Sequence, residues 1–185
     1  MDGLPDHIGN LPAYRQNLAD KSVNGDVTAV ERIRARIMLL ISYLSADVIP
    51  DEKLPAFLGL VDELLDRVEN LGGNRARMMN IHRELRELED RIYIPIRQNA
   101  AAQFDSIRRE RPDLTGNALL KNLVGDEINE YRARNPDESD NTVLATLMRS
   151  SPRADILINM IRQRNDENPV TIFSWQPLAL PLLDI

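Results

Sequence analysis

Between Thr28 and Ile161 the apolar residues of this chain recur every three or four positions, and that period constrains its fold more than any other feature. A repeat near 3.6 residues builds one apolar stripe along a helix, whereas a half-buried strand needs strict alternation. Prolines and glycines cut the pattern into segments. In the first, Thr28-Ala-Val-Glu31 forms a capping-box pattern ahead of Val30, Ile33, Ile37, Leu40, Ile41 and Leu44. This predicts a helix to about Ala46, ended before Pro50. In the second, Asp51-Glu52-Lys53-Leu54-Pro55 opens a helix whose broad face carries Phe57, Leu58, Val61, Leu64, Leu65, Val68 and Leu71. Gly72-Gly73 stops it, because glycine takes the left-handed cap conformation without steric cost.

The third segment has a narrower stripe. Met78, Ile81, Leu85, Leu88 and Ile92 alternate spacings of three and four, as in a heptad seam, and form a candidate helix-seam interface. Its other side is charged, with expected i,i+4 pairs Arg83–Glu87, Arg86–Asp90 and Glu87–Arg91. Pro95 lacks a backbone donor, so a kink or restart is expected there, with Ile96, Ala100, Phe104 and Ile107 continuing to about Arg109. Further helices carry Leu119 to Tyr131, with Gly125 inside at a cost of ~1 kcal/mol relative to Ala that leaves a break there open, then Val143 to Met148, then Ile156 to Ile161 behind Ser151-Pro152. A short helix from Leu11 to about Asp20 lies within a polar N-terminal segment, 1–25.

After Asn168 the character changes. Pro169, Pro177 and Pro181 exclude helix over most of an otherwise apolar stretch, since each restricts its predecessor to extended geometry. The expected fold class is therefore all-α: a bundle of six or seven helices over 26–168, with a subdivision near 95, and an extended, proline-containing apolar C-terminal arm at 169–185. The length of 185 residues accommodates this as one domain or two small ones.

Composition excludes several chemistries. There is no cysteine, hence no disulfide framework, thiol catalysis or cysteine-ligated metal. The two histidines, His7 and His82, form no Glu-x-x-His or His-Glu-x-x-His pattern, and no cofactor is expected. No serine lies in Gly-x-Ser-x-Gly or Ser-x-x-Lys, and Gly72-Gly73-Asn74-Arg75 reads as a helix–helix corner rather than a phosphate loop. The chain is thus read as non-enzymatic. The longest apolar run, Ile37 to Leu44, is short of the ~20 residues that span a bilayer. With no signal-like N-terminus, a cytoplasmic or particle-enclosed location without membrane contact is expected.

Net charge is −6, yet residues 74–111 hold nine arginines against six carboxylates. Nucleic-acid contact through Arg75, Arg77 and Arg97 is a secondary expectation, because interleaved acids cancel much of the field. Asn135-Pro136-Asp137 followed by Val143-Leu144-Ala145-Thr146-Leu147 resembles the Asn-Pro-Asp helix start of retroviral capsid C-terminal domains. The glutamine-glycine motif defining that family is missing, and no function is carried across.

The arm needs a covering surface, since an exposed apolar strand invites aggregation. Phe173, Trp175, Leu178, Leu180, Leu182 and Leu183 are its candidate anchors on a partner or a second subunit. The leading functional expectation is an assembly or structural subunit of virion, phage or bacterial-machine type. Its partner is protein, either itself or a larger assembly, docked through the arm. The alternatives are a monomeric helical adaptor or effector, and a nucleic-acid-associated regulator using 74–111.

Overall fold

The computed structural model describes residues 11–45, 48–114 and 116–167, with backbone alone for 164–167. The arm and its anchors lie outside the described residues, as does His7. Seven helices and no strand make up the described chain. They are α1 (Leu11–Val23), α2 (Ala29–Ser42), α3 (Leu54–Glu69), α4 (Arg75–Glu110), α5 (Gly116–Arg134), α6 (Asp140–Ser150) and α7 (Pro152–Glu167). The fold is an all-α bundle, and contacts divide the chain into two units, Met1–Pro95 and Ile96–Ile185.

In the first unit, α1 packs Leu18 and Ala19 against Ala35 and Leu39 of α2. The capping box at the start of α2 is complete: Thr28 Oγ1 accepts from the Glu31 amide at 3.2 Å, and Glu31 Oε2 accepts from the Thr28 amide at 2.9 Å. The Thr28 amide, and the Thr28 hydroxyl that donates to the same Oε2 at 2.8 Å, hold the exposed Glu31 carboxyl below the usual carboxylate range. Helix α2 ends at Ser42, four residues earlier than the apolar pattern implies. The local cause is visible. Ser42 Oγ donates back to the Leu39 carbonyl, and the Arg15 guanidinium takes the Ser42 carbonyl while lying 3.9 Å above the Tyr43 ring. Serine and a half-buried arginine thus serve the orphan carbonyls that a further turn would have engaged.

Helix α3 starts at Leu54, because Pro50–Lys53 closes a turn of its own with a 2.9 Å bond from the Lys53 amide to the Pro50 carbonyl. Gly72 and Gly73 have φ of 57° and 72°, the left-handed geometry that makes the corner into α4. Asn74 then caps α4 by accepting from the Arg77 amide at 3.1 Å.

Helix α4 runs without a restart through Pro95. The carbonyl that loses its partner belongs to Arg91, an exposed residue, so water can replace the missing donor. Buried Ile92 on one side and Ala100 and Phe104 on the other hold both stretches in place. The penalty of roughly 3 kcal/mol for an interior proline is set against that burial.

In the second unit one core unites Ala100 and Phe104 of α4 with Leu119, Leu120, Leu123, Val124, Ile128 and Tyr131 of α5, Val143, Leu144 and Leu147 of α6, and Ala154, Leu157, Ile158 and Ile161 of α7. Helix α5 is unbroken at Gly125, where an added Cβ would meet only Lys121 Cγ at 3.7 Å. Ser139 caps α6, and Ser151 caps α7 ahead of Pro152 by accepting from the Ala154 amide at 3.1 Å.

Candidate interaction face

The first half of α4 has two sides of different chemistry. On the inner side Ile81, Leu85, Leu88 and Ile92 are buried within the single chain, and Met78 is half-buried. The seam is thus buried within the chain, and two long-range ion pairs clamp its flanks. Arg36 of α2 grips Glu89 in a two-pronged contact at 3.0 and 2.8 Å. Arg67 of α3 makes the same kind of contact with Glu84. Arginine suits both, since its planar fork matches a carboxylate. Hydrogen bonding to Arg67 holds the Glu84 carboxyl below the usual range and raises Arg67 in turn.

His82 sits beside the Arg36–Glu89 pair, its Nδ1 3.0 Å from Arg36 Nη1. Arginine has no acceptor, so Nδ1 must be the unprotonated nitrogen. Burial, and then the charge of Arg36, push the imidazole below its ordinary range.

These partners change what the outer side offers. None of the expected pairs Arg83–Glu87, Arg86–Asp90 and Glu87–Arg91 forms within ion-pair distance among the described residues. The acids of α4 that are engaged, Glu84 and Glu89, lie toward the seam and bind arginines from other helices. Arg75, Arg77, Arg83, Arg86 and Arg91 are all exposed and make no ion pair among the described residues; only Glu87 and Asp90 are exposed carboxylates beside them. Among these arginines stand two large apolar side chains, Met79, 65% exposed, and Ile94, 45% exposed. Arg75, Met79, Arg83 and Arg86 follow one another at spacings of four, four and three, which is one face of a helix.

Arg97 does not join them. It belongs to the second unit and lies 3.6 Å from Asp155. The other arginines of the 74–111 stretch are also engaged locally: Arg108 stacks over Phe104, Arg109 donates to the Asp105 carbonyl, and Arg111 pairs with Asp113 at 2.8 Å. Asp105, Arg108 and Arg109 border an open cleft of ≈ 440 Å³. Elsewhere in the second unit Arg132 pairs with Asp140, both largely buried, and Arg153 joins Glu127, Gln103 and the Leu123 carbonyl. No group of three or more metal-ligating side chains occurs among the described residues. No described helix is long and apolar enough to cross a membrane.

Sequence reasoning missed Met79 and Ile94. The available signal was that both are apolar and fall off the seam register, one and two residues past its members. No protein family, curated protein or solved structure matches this chain.

Proposed function

We propose that this chain is a non-enzymatic helical subunit that works by binding other macromolecules in an assembly. The outward side of α4 serves as its charged docking face and the 169–185 segment as its apolar anchor. The observation that carries the reading is the set of exposed, unpaired arginines surrounding Met79 and Ile94 in a chain of net charge −6. Folding alone gives no gain from exposing such side chains, whereas an interface gains from both: arginine and methionine are enriched in protein contacts.

The test is absolute mass by light scattering on a sizing column, for residues 1–185 and 1–168. A multimer that falls to monomer without the arm supports the assembly reading, and Trp175 is then the first residue to replace. Two monomers, the shorter less stable, favour an adaptor that covers the arm with its own helices. A nucleic-acid role has one observation in its favour, the same arginines. It predicts oligonucleotide binding that weakens steeply with salt and is abolished by Arg75→Glu with Arg77→Glu.

A further inference from the structure

The α4 face has a complement within the same unit. Helix α3 turns Ala56, Gly59, Asp62, Glu63 and Asp66 to solvent, and these five share one side of the helix. The three acids make no ion pair among the described residues. The one basic residue of α3, Arg67, stands one turn after Glu63 but forms its ion pair with Glu84 of α4. Gly59 stands mid-helix with nothing within 4 Å of where its Cβ would be, so no contact among the described residues accounts for a glycine there. An exposed helical glycine weakens its own helix, and its use is to let another backbone come close. Leu60, 43% exposed, borders this side as Met79 and Ile94 occupy the other.

We propose that the occupant of the α4 face is a second copy of this chain, presenting its α3 face. This rests on the assembly reading above and supplies its contact. Arg75, Arg83 and Arg86 of one copy meet Asp62, Glu63 and Asp66 of the next, with Met79 set against the flat surface around Gly59. Helices α3 and α4 are consecutive, separated by the Asn70–Asn74 corner. A two-fold axis can therefore apply each contact twice, α3 on α4 and α4 on α3, closing a dimer. A net-positive patch, its five arginines outnumbering Glu87 and Asp90, meeting a negative one also fixes register and disfavours pairing of like surfaces.

The test is a charge swap in the full chain. Arg83→Glu/Arg86→Glu and Asp62→Arg/Asp66→Arg are each examined alone and as an equimolar mixture. Readouts are light scattering at ~50 and ~300 mM salt, bracketing the usual screening range, and circular dichroism to confirm folding. The expected result is a wild-type dimer at low salt that weakens at least ~10-fold at high salt. Each variant alone is then monomeric, and the mixture recovers the dimer. Recovery in the mixture is the decisive sign, because a folding defect cannot be repaired by adding a second defective chain.

Three results overturn the proposal. A wild-type multimer that survives both variants does so while leaving assembly through the arm intact. Two folded variants that stay monomeric when mixed do so directly. A wild type that is monomeric at low salt, yet binds a short single-stranded oligonucleotide that Arg83→Glu/Arg86→Glu cannot bind, moves the face to nucleic acid.

Discussion

The two units engage their charges in opposite ways. In the second, arginines are drawn inward or sideways onto neighbours: Arg132 to Asp140, Arg153 to Glu127, Arg97 to Asp155. In the first, it is the carboxylates that are claimed, Glu69 by Arg34, Glu84 by Arg67 and Glu89 by Arg36, and the arginines of α4 remain outside. The same residue type therefore ties each unit together internally, and along α4 of the first it also stands outside without an ion pair among the described residues. Abundance of arginine along a stretch does not reveal which use applies; the location of the competing acids does.

The sharpest way to break this contrast is to test whether both cores are closed within one chain. Leu85→Ala in the seam and Leu144→Ala in the second core should each lower unfolding free energy by about 2–5 kcal/mol, as cavities in tight cores do. Urea titration should give the same loss for Leu85→Ala at low and high protein concentration. A loss that grows with concentration would place the seam between chains.

Next in size is Asp140→Ala. Arg132 and Asp140 retain only 16% and 11% side-chain exposure, so removing the acid strands a buried guanidinium. A destabilisation of about 3 kcal/mol is expected. The corresponding change in the first unit, Arg67→Ala, breaks a pair exposed by more than a third on both sides, and should cost below about 1 kcal/mol. If the two losses come out equal, the contrast between inward and outward charge fails.

At ~300 mM salt, where the proposed dimer is weakened, Gly59→Ala should stabilise the first unit by about 0.5–1 kcal/mol in a thermal melt, because in the single chain its Cβ enters open space. A destabilisation would mean that the site is already covered.

The smallest expected effect concerns His82. Its folded-state pKa is lowered, so the neutral form is the one the fold accepts. Stability from this group is complete above the unfolded value near 6.5 and falls as pH drops below it, since only the unfolded chain then takes up the proton readily. The groups facing the ring are Arg36 and Arg32 from α2 and Glu89 from α4. His82→Gln, which still accepts from Arg36, should flatten the decline in melting temperature between about pH 7 and 5.5. An unchanged slope would show that His82 is not its source.

The legible parts of this fold are those governed by a few adjacent residues. Thr28 with Glu31, Ser151 with Pro152, and Gly72-Gly73 each carry their capping chemistry in a four-residue window, and each forms. The buried members of the seam were readable from their spacing as well. What could not be read depends on residues far away. Ser42 ends α2 because Arg15 reaches it across 27 positions. Pro95 does not end α4, since burial on either side of it outweighs one absent donor. The acids interleaved with the 74–111 arginines read as cancelling their field, but arginines 17 and 53 residues distant hold Glu84 and Glu89. The candidate face is the remainder of that competition, so it emerges only when three helices are considered together.

That the positive charge of the α4 face comes from arginine alone, with no lysine between Arg75 and Glu110, has a consequence for its control. A guanidinium does not lose its proton at any pH a cell reaches. It also offers no amine to acetylate, so the routine way of erasing a positive surface does not apply here. Methylation would leave each charge in place and remove only the two-pronged hydrogen bonding. The means of switching the proposed contact therefore lie on the acidic side or in the surrounding salt. Amine-reactive labels and cross-linkers, confined to Lys21, Lys53, Lys121 and the chain terminus, would leave the arginine surface chemically untouched.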